Sequence, residues 1–418
     1  MTLLAPRSLA RSILLGLTLV LIATLLPATA ADAAVQRVTP RFFGMTDNEP
    51  LTWPNRPVGS IRLWDSGVTW RDIETRPGVF DWARLDAVVA KARAEGAKPL
   101  LVLGLTPGFH AQNPRDAGLY GRGTSSMPNM KPFRRYVRKA VQRYGSTLDY
   151  QVWNEANVLP FFSGTPRQMA KLTKATYEIV NRYAPRAKVV SPALATRLTG
   201  QRKWLRTYFA QRLGGIPVKR YMDVVALHLY PLPDQGPEAS MSILNSVKTM
   251  LRWANVRKPI WNTEVNYGIR VGGGGIASNI SRQKEAAFVA RTYILNAAGN
   301  VKRVYWYSWQ VQGLVNTQLT ESDGVTLTRA GRAYGVVRDW LVQTSMQGCD
   351  RDRRGTYVCT VKNAEGVRRI YWNPSRRATV RAVGSAFEKQ TLRGTRERLT
   401  GGERIRLGIS PVLVSSKR

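Results

Sequence analysis

Histidine and cysteine are almost missing from this chain of 418 residues; each occurs twice, as His110 and His228 and as Cys349 and Cys359. A centre built from several imidazole and thiolate ligands is therefore not expected, and no metal or cofactor is called for. Acid is also scarce, with 27 Asp and Glu against 63 Lys and Arg, a net charge of +36. No run after residue 34 is apolar for long enough to span a bilayer. No glycine-rich turn follows the first candidate strand, which argues against a dinucleotide site. The stretch VGGGG (271–275) lacks the Lys-Ser/Thr of a phosphate loop and reads only as flexibility. Zinc-finger spacings and RNA-binding signatures are missing too, so no dedicated nucleic-acid site is expected.

What is present begins with a leader. Arg7 and Arg11 precede an apolar run from Ser12 to Leu26, and Ala28-Thr29-Ala30 follows. This reads as a secretory signal peptide over residues 1–34 rather than a retained anchor, and it predicts a secreted, extracellular protein. In an oxidising compartment Cys349 and Cys359 are free to pair. The basic excess is not confined to one region, since residues 349–418 hold 17 basic and 6 acidic residues. Such a surface attracts anionic polysaccharide or cell wall, unless it reflects composition alone.

The body of the chain alternates two textures. In DWARLDAVVAKARAEGAK, Leu85, Val88, Val89 and Ala92 fall at helical spacing and Gly96 ends the run; KPLLVLGLTP then reads as a buried strand. Further candidate strands lie at 41–46, 60–64, 149–154, 187–193, 223–230, 259–265 and 303–309, with helical patterns between most of them, such as 167–184 and 281–299. Eight buried strands alternating with helices predict an α/β fold, a (β/α)8 TIM barrel over residues 35–344; an open doubly wound sheet is the alternative. From 345 to 418, short strand-like stretches alternate with Gly, Asn and Pro turns, as in a small C-terminal all-β domain of sandwich type. Cys349 and Cys359 would staple its first hairpin.

In a parallel barrel the chemistry sits at the carboxyl ends of the strands. There YQVWNEANV (150–158) runs from an apolar strand straight into Asn154 and Glu155, and PIWNTEVNYG (259–268) ends its strand on Glu264. Either glutamate alone reads as a solvated loop carboxylate. Together, aimed at one cleft, they suit hydrolysis of a glycosidic bond, in which one carboxyl protonates the leaving oxygen and the other attacks carbon or activates water.

VWNEAN and WNTEVN resemble the acid/base and nucleophile motifs of clan A glycoside hydrolases. RLWDSGVTWRDIETRPGVFDWARLD (62–86) is similar to the second strand and following helix of family 39, the β-xylosidase-like group, with family 5 as the neighbouring possibility. The resemblance covers about residues 40–340. It implies a retaining hydrolase of poly- or oligosaccharides with Glu155 as acid/base and Glu264 as nucleophile. It further implies that Asn154 holds the sugar 2-hydroxyl and that Arg62 holds the charge of the nucleophile, unless Arg62 is an ordinary barrel ion pair. His228 and Tyr230 would orient Glu264, and Trp309 would be the aromatic platform under the sugar. Trp64, Trp70 and Trp153 read equally as cleft or core. His110 stands near a place where the family more often has Trp. A carbohydrate-binding or wall-binding barrel without turnover is the competing reading.

Overall fold

The computed structural model describes residues 35–269, 279–310 and 315–417. The leader and the VGGGG stretch therefore lie outside the described residues. Eight parallel strands form the barrel: β1 (Phe43–Thr46), β2 (Ser60–Leu63), β3 (Lys98–Val102), β4 (Asp149–Gln151), β5 (Val189–Val190), β6 (Val225–His228), β7 (Ile260–Val265) and β8 (Val301–Tyr307). Each from β2 onward is followed by at least one α-helix. β5 is broken by Pro192. Its first part pairs with β4, while Leu194–Ala195 pairs with β6. A parallel bridge between Val190 and Val224 closes the ring. The fold is a (β/α)8 barrel with an added C-terminal sheet.

The strands are shorter than the apolar runs suggest, because those runs continue past the last ladder hydrogen bond into the loops that build the cleft. Along β4, for example, pairing stops at Gln151 although Val152, Trp153 and Asn154 are all buried. The helices start on local signals. Thr165 accepts from the Gln168 amide while Gln168 returns a bond to the Thr165 amide, with Pro166 at the first helical position of Pro166–Tyr183.

Inward side chains stack in layers, because alternate residues of a strand share a face. At the base Asp149 meets Arg303 at 2.9 Å and Lys98 at 3.8 Å. Above them Leu100, Val190, Ala226, Trp261 and Tyr305 form a separate apolar cluster. Two residues beyond Ala226 and Tyr305 come His228 and Tyr307, and two beyond Asp149 comes Gln151, where the chain turns from packing to chemistry.

Strands β9 (Ser345–Arg351), β10 (Tyr357–Asn363), β11 (Gly366–Trp372), β12 (Ala378–Arg381), β13 (Ala386–Thr391), β14 (Arg396–Arg398), β15 (Arg404–Leu407) and β16 (Val412–Ser416) form the C-terminal region. The large sheet is antiparallel, in the order Gln36–Arg37, β9, β10, β11, β16, β13, β14. The Gln36–Arg37 strand thus joins this sheet, although the sequence assigns residue 35 onward to the barrel. A ribbon of β12 and β15 supplies the second layer, and Tyr371, Ala386, Ile405, Leu407 and Val414 fill the space between. Cys349 and Cys359 are register partners across β9 and β10 and are joined by a disulfide. The other face of the sheet shares the barrel's core through Met346, Val361, Ile370 and Trp372. The helix Arg282–Ala298 is consequently buried all round, from Glu285 to Ala297. No helix among the described residues is long and apolar enough to cross a membrane.

Candidate active site

The carboxyl ends of the strands open into a cleft of 1110 Å³. Three consecutive strand ends deliver a non-glycine residue with positive φ to its wall: Asp65 (φ 59°) after β2, Leu105 (63°) after β3 and Glu155 (37°) after β4. Such conformations cost of order 1–3 kcal/mol each and persist where surrounding packing holds them. At Glu155 the backbone is held by bonds from the Val158 amide to the Glu155 carbonyl and from the Ala156 amide to the Ala193 carbonyl.

Arg62 lies at the centre of the site and is wholly buried. Its Nη1 donates to Glu264 at 2.5 Å, its Nη2 to Asn154 at 2.6 Å and its Nε to Gln151 at 2.7 Å. One rigid fork therefore fixes side chains from β4 and β7. The Tyr230 hydroxyl donates to the other oxygen of Glu264 at 3.0 Å. The His228 Nδ1 lies 3.0 Å from Glu155 and 3.4 Å from Glu264. A nitrogen between two carboxyl groups serves both only as a donor, so the proton is assigned to Nδ1. This fits Nε2, which is buried without a partner among the described residues and would be costly as an orphaned N–H. Burial holds the imidazole neutral by pushing its pKa down to about 3.

The two glutamates sit in unequal surroundings. One oxygen of each lies within 4.8 Å of the other and of a His228 nitrogen. Glu155 is exposed only to 16 %, and burial raises its pKa to about 7, with Arg197 and Arg62 pulling the other way. Burial also raises Glu264, but His228 and Arg62 oppose it at close range. Glu155, His228 and Glu264 have the donor types of a metal site. The Arg62 cation on Glu264, together with an N–H rather than a lone pair on Nδ1, makes the set a poor fit for a divalent ion.

Of the residues expected from the sequence, the structure brings Arg62, Asn154, Glu155, His228, Tyr230 and Glu264 together. It does not bring Trp309 to the cleft. That indole is fully buried and donates to the Gly324 carbonyl at 3.2 Å, and it is missing from the cleft wall. β8 ends at Tyr307 and the chain turns there, so Tyr307 is the aromatic residue that reaches the wall. Trp64 lines the cleft, edge-on to Tyr120 at 5.5 Å. Trp70 and Trp153 are core, bonded to Glu74 and to the Phe161 carbonyl. His110 is placed outside the cleft, with Nε2 3.0 Å from Glu74. The sequence reading passed over Asp65, which accepts from Tyr307 at 2.7 Å and from Tyr120. The same rule that singles out Asn154 and Glu155, a polar residue at a strand end, applies to Asp65. Arg197 was missed as well; it lines the cleft and donates to the Pro231 and Ile269 carbonyls at 3.1 and 3.0 Å.

Residues 138–334 match the family model of the glycosyl hydrolase catalytic core. The match holds both glutamates, His228 and Tyr230; Arg62 and Asp65 lie before it. Solved structures place the whole described fold in the same company. A family 39 glycoside hydrolase from the gut symbiont Bacteroides cellulosilyticus WH2 superposes with a TM-score of 0.69 at 16% identity, over 92% of this chain and 83% of that one. A family 39 β-xylosidase from Caulobacter crescentus gives 0.65 at 15% identity, over 92% and 98%. A family 30 subfamily 8 xylanase from Clostridium acetobutylicum gives 0.59 at 15% identity, over 92% and 98%. The barrel with its added sheet is thus the fold of these glycoside hydrolases. No curated protein matches the chain in sequence.

Proposed function

We propose that the protein is a retaining glycoside hydrolase acting on a poly- or oligosaccharide by double displacement. The observation that carries this is the pair Glu155 and Glu264, with oxygens within 4.8 Å and unequal electrostatic settings, since only Glu264 is ion-paired with Arg62. Carboxyl groups about 5–5.5 Å apart suit direct attack, whereas inversion leaves about 6.5–9.5 Å for a water. Glu155, with its pKa near 7, holds a proton at neutral pH and gives it to the glycosidic oxygen. Glu264, ion-paired with Arg62, attacks the anomeric carbon and the leaving group departs. Glu155, now a carboxylate, takes a proton from water, which attacks the same carbon and frees Glu264. Neutral His228 keeps both carboxyl groups in place while the proton moves. Asn154, held by Arg62, presents its amide to the sugar. The same reading takes residues 1–34 as the leader that directs export.

The test is hydrolysis of aryl β-glycosides and a panel of neutral and acidic polysaccharides by the wild type, Glu155→Gln and Glu264→Gln. Each substitution should lower kcat by roughly a thousandfold or more with the fold intact. A 2-fluoro glycoside should label Glu264 covalently. Undiminished turnover in either variant overturns the assignment.

A further inference from the structure

Next to the cleft lies a second cavity of 260 Å³. Arg71 and Tyr120 stand in both walls, so the two spaces adjoin. Its remaining wall includes Glu74, Phe109, Arg122 and Thr124. The chemistry here differs from that of the catalytic centre, where each charge has a close partner. Arg122 is exposed, and its side chain has no hydrogen bond or ion pair among the described residues. Arg71 is 41 % exposed and has only a 3.7 Å approach to its neighbour Asp72.

The one carboxylate of the wall does not cancel these cations. Glu74 is wholly buried and already accepts from Arg135 at 2.8 Å, His110 at 3.0 Å, the Trp70 indole at 2.7 Å and the Gly78 amide at 2.8 Å. Phe109 is 45% exposed although it borders the cavity, with its ring set edge-to-face against His110 at 4.6 Å. An open aromatic face suits the C–H face of a pyranose, and two guanidinium groups suit a carboxylate or sulfate.

The support is rigid. Arg122 belongs to a small hairpin in which Ala117–Gly118 pairs with Gly121–Arg122. The Gly123 amide binds the Asp116 carbonyl at 2.8 Å, and the hairpin tip binds the loop behind Glu155 through the Leu119 amide and the Pro160 carbonyl at 3.0 Å. The second cavity is therefore fastened to the segment that carries the acid.

We propose that this cavity is a distal subsite for an anionic sugar, a uronate or sulfated residue, in a polysaccharide chain whose neighbouring units lie in the cleft. The proposal rests on the glycosidase reading and adds the substrate class: an acidic polysaccharide, bound across at least two sites.

The test measures binding, not turnover. In the Glu155→Gln background, calorimetry compares a panel of short uronate and sulfated oligosaccharides with neutral xylo- and gluco-oligosaccharides of equal length. At least one acidic oligosaccharide should bind about tenfold more tightly than every neutral one. Adding Arg122→Gln should erase that preference, and adding Phe109→Ala should weaken acidic and neutral chains alike. Neutral chains binding as tightly as all acidic ones, or a preference that survives Arg122→Gln, overturns the proposal. Lack of wild-type turnover on every aryl glycoside and every neutral or acidic polysaccharide of the panel would instead overturn the glycosidase reading and leave the binding result standing.

Discussion

The two ends of the barrel hold buried carboxyl groups among cations and treat them in opposite ways. At the base, Asp149 is closed off. It accepts from Arg303 at 2.9 Å and from the Lys188 amide at 3.0 Å, while Arg303 lies 3.8 Å above the Trp261 ring. At the mouth, Glu155 has a neutral imidazole as its hydrogen-bond partner and keeps a proton up to a pH of about 7. The base satisfies charge and so serves folding. The mouth leaves a carboxyl group poised to gain or lose a proton and so serves a reaction. The same fold supplies both, and the surroundings of each acid separate the two roles.

Substitutions should separate them in the same way. Asp149→Asn strands the guanidinium of Arg303, which is only 8% exposed. We expect a loss of about 3 kcal/mol or more in urea unfolding at neutral pH, with kcat per folded molecule unchanged. A loss of turnover without a loss of stability would erase the distinction between the two ends. Glu155→Gln should do the reverse. The wild-type carboxyl ionises near pH 4.5 when unfolded but near 7 when folded, so stability falls as pH rises between these values and levels off above them. The variant should escape this decline and be more stable above pH 7 by up to about 3 kcal/mol, with no difference below pH 4. Equal unfolding curves at pH 8 would mean that Glu155 is not held protonated. The smallest effect is expected at Tyr307→Phe, which removes one donor from Asp65. A drop in kcat/KM of about fivefold, near 1 kcal/mol, should appear without a shift in Tm.

Much of this was legible in the residues. Eight apolar runs separated by helical periodicity specify a barrel, because both signals come from burial and burial is local in sequence. Glu155 and Glu264 were legible only as a pair, because either alone reads as a solvated loop carboxylate whereas a barrel aims both strand ends at one cleft. Trp309 shows where such reasoning stops. A tryptophan at the end of a strand is equally good as a sugar platform and as core, and the choice depends on where β8 lets go, at Tyr307. Arg197 was hidden for a different reason. Its partners are backbone carbonyls on two other loops, Pro231 and Ile269, and carbonyls leave no trace in sequence. The helix Arg282–Ala298 reads as an ordinary barrel helix, yet a second neighbour covers its outer face; that neighbour starts 47 residues later, at Ser345.

The pairing of Gln36–Arg37 with Ser345–Met346 has a consequence for how the molecule is made. A ribosome releases the first partner long before it has built the second, and β1 must likewise wait for β8. The ring cannot close until Val301–Tyr307 has been made, and the sheet cannot take up Gln36–Arg37 until Ser345–Arg351 follows, so the growing chain holds these early strands in reserve. A chain stopped before Val301 leaves both the ring and the edge of the sheet open.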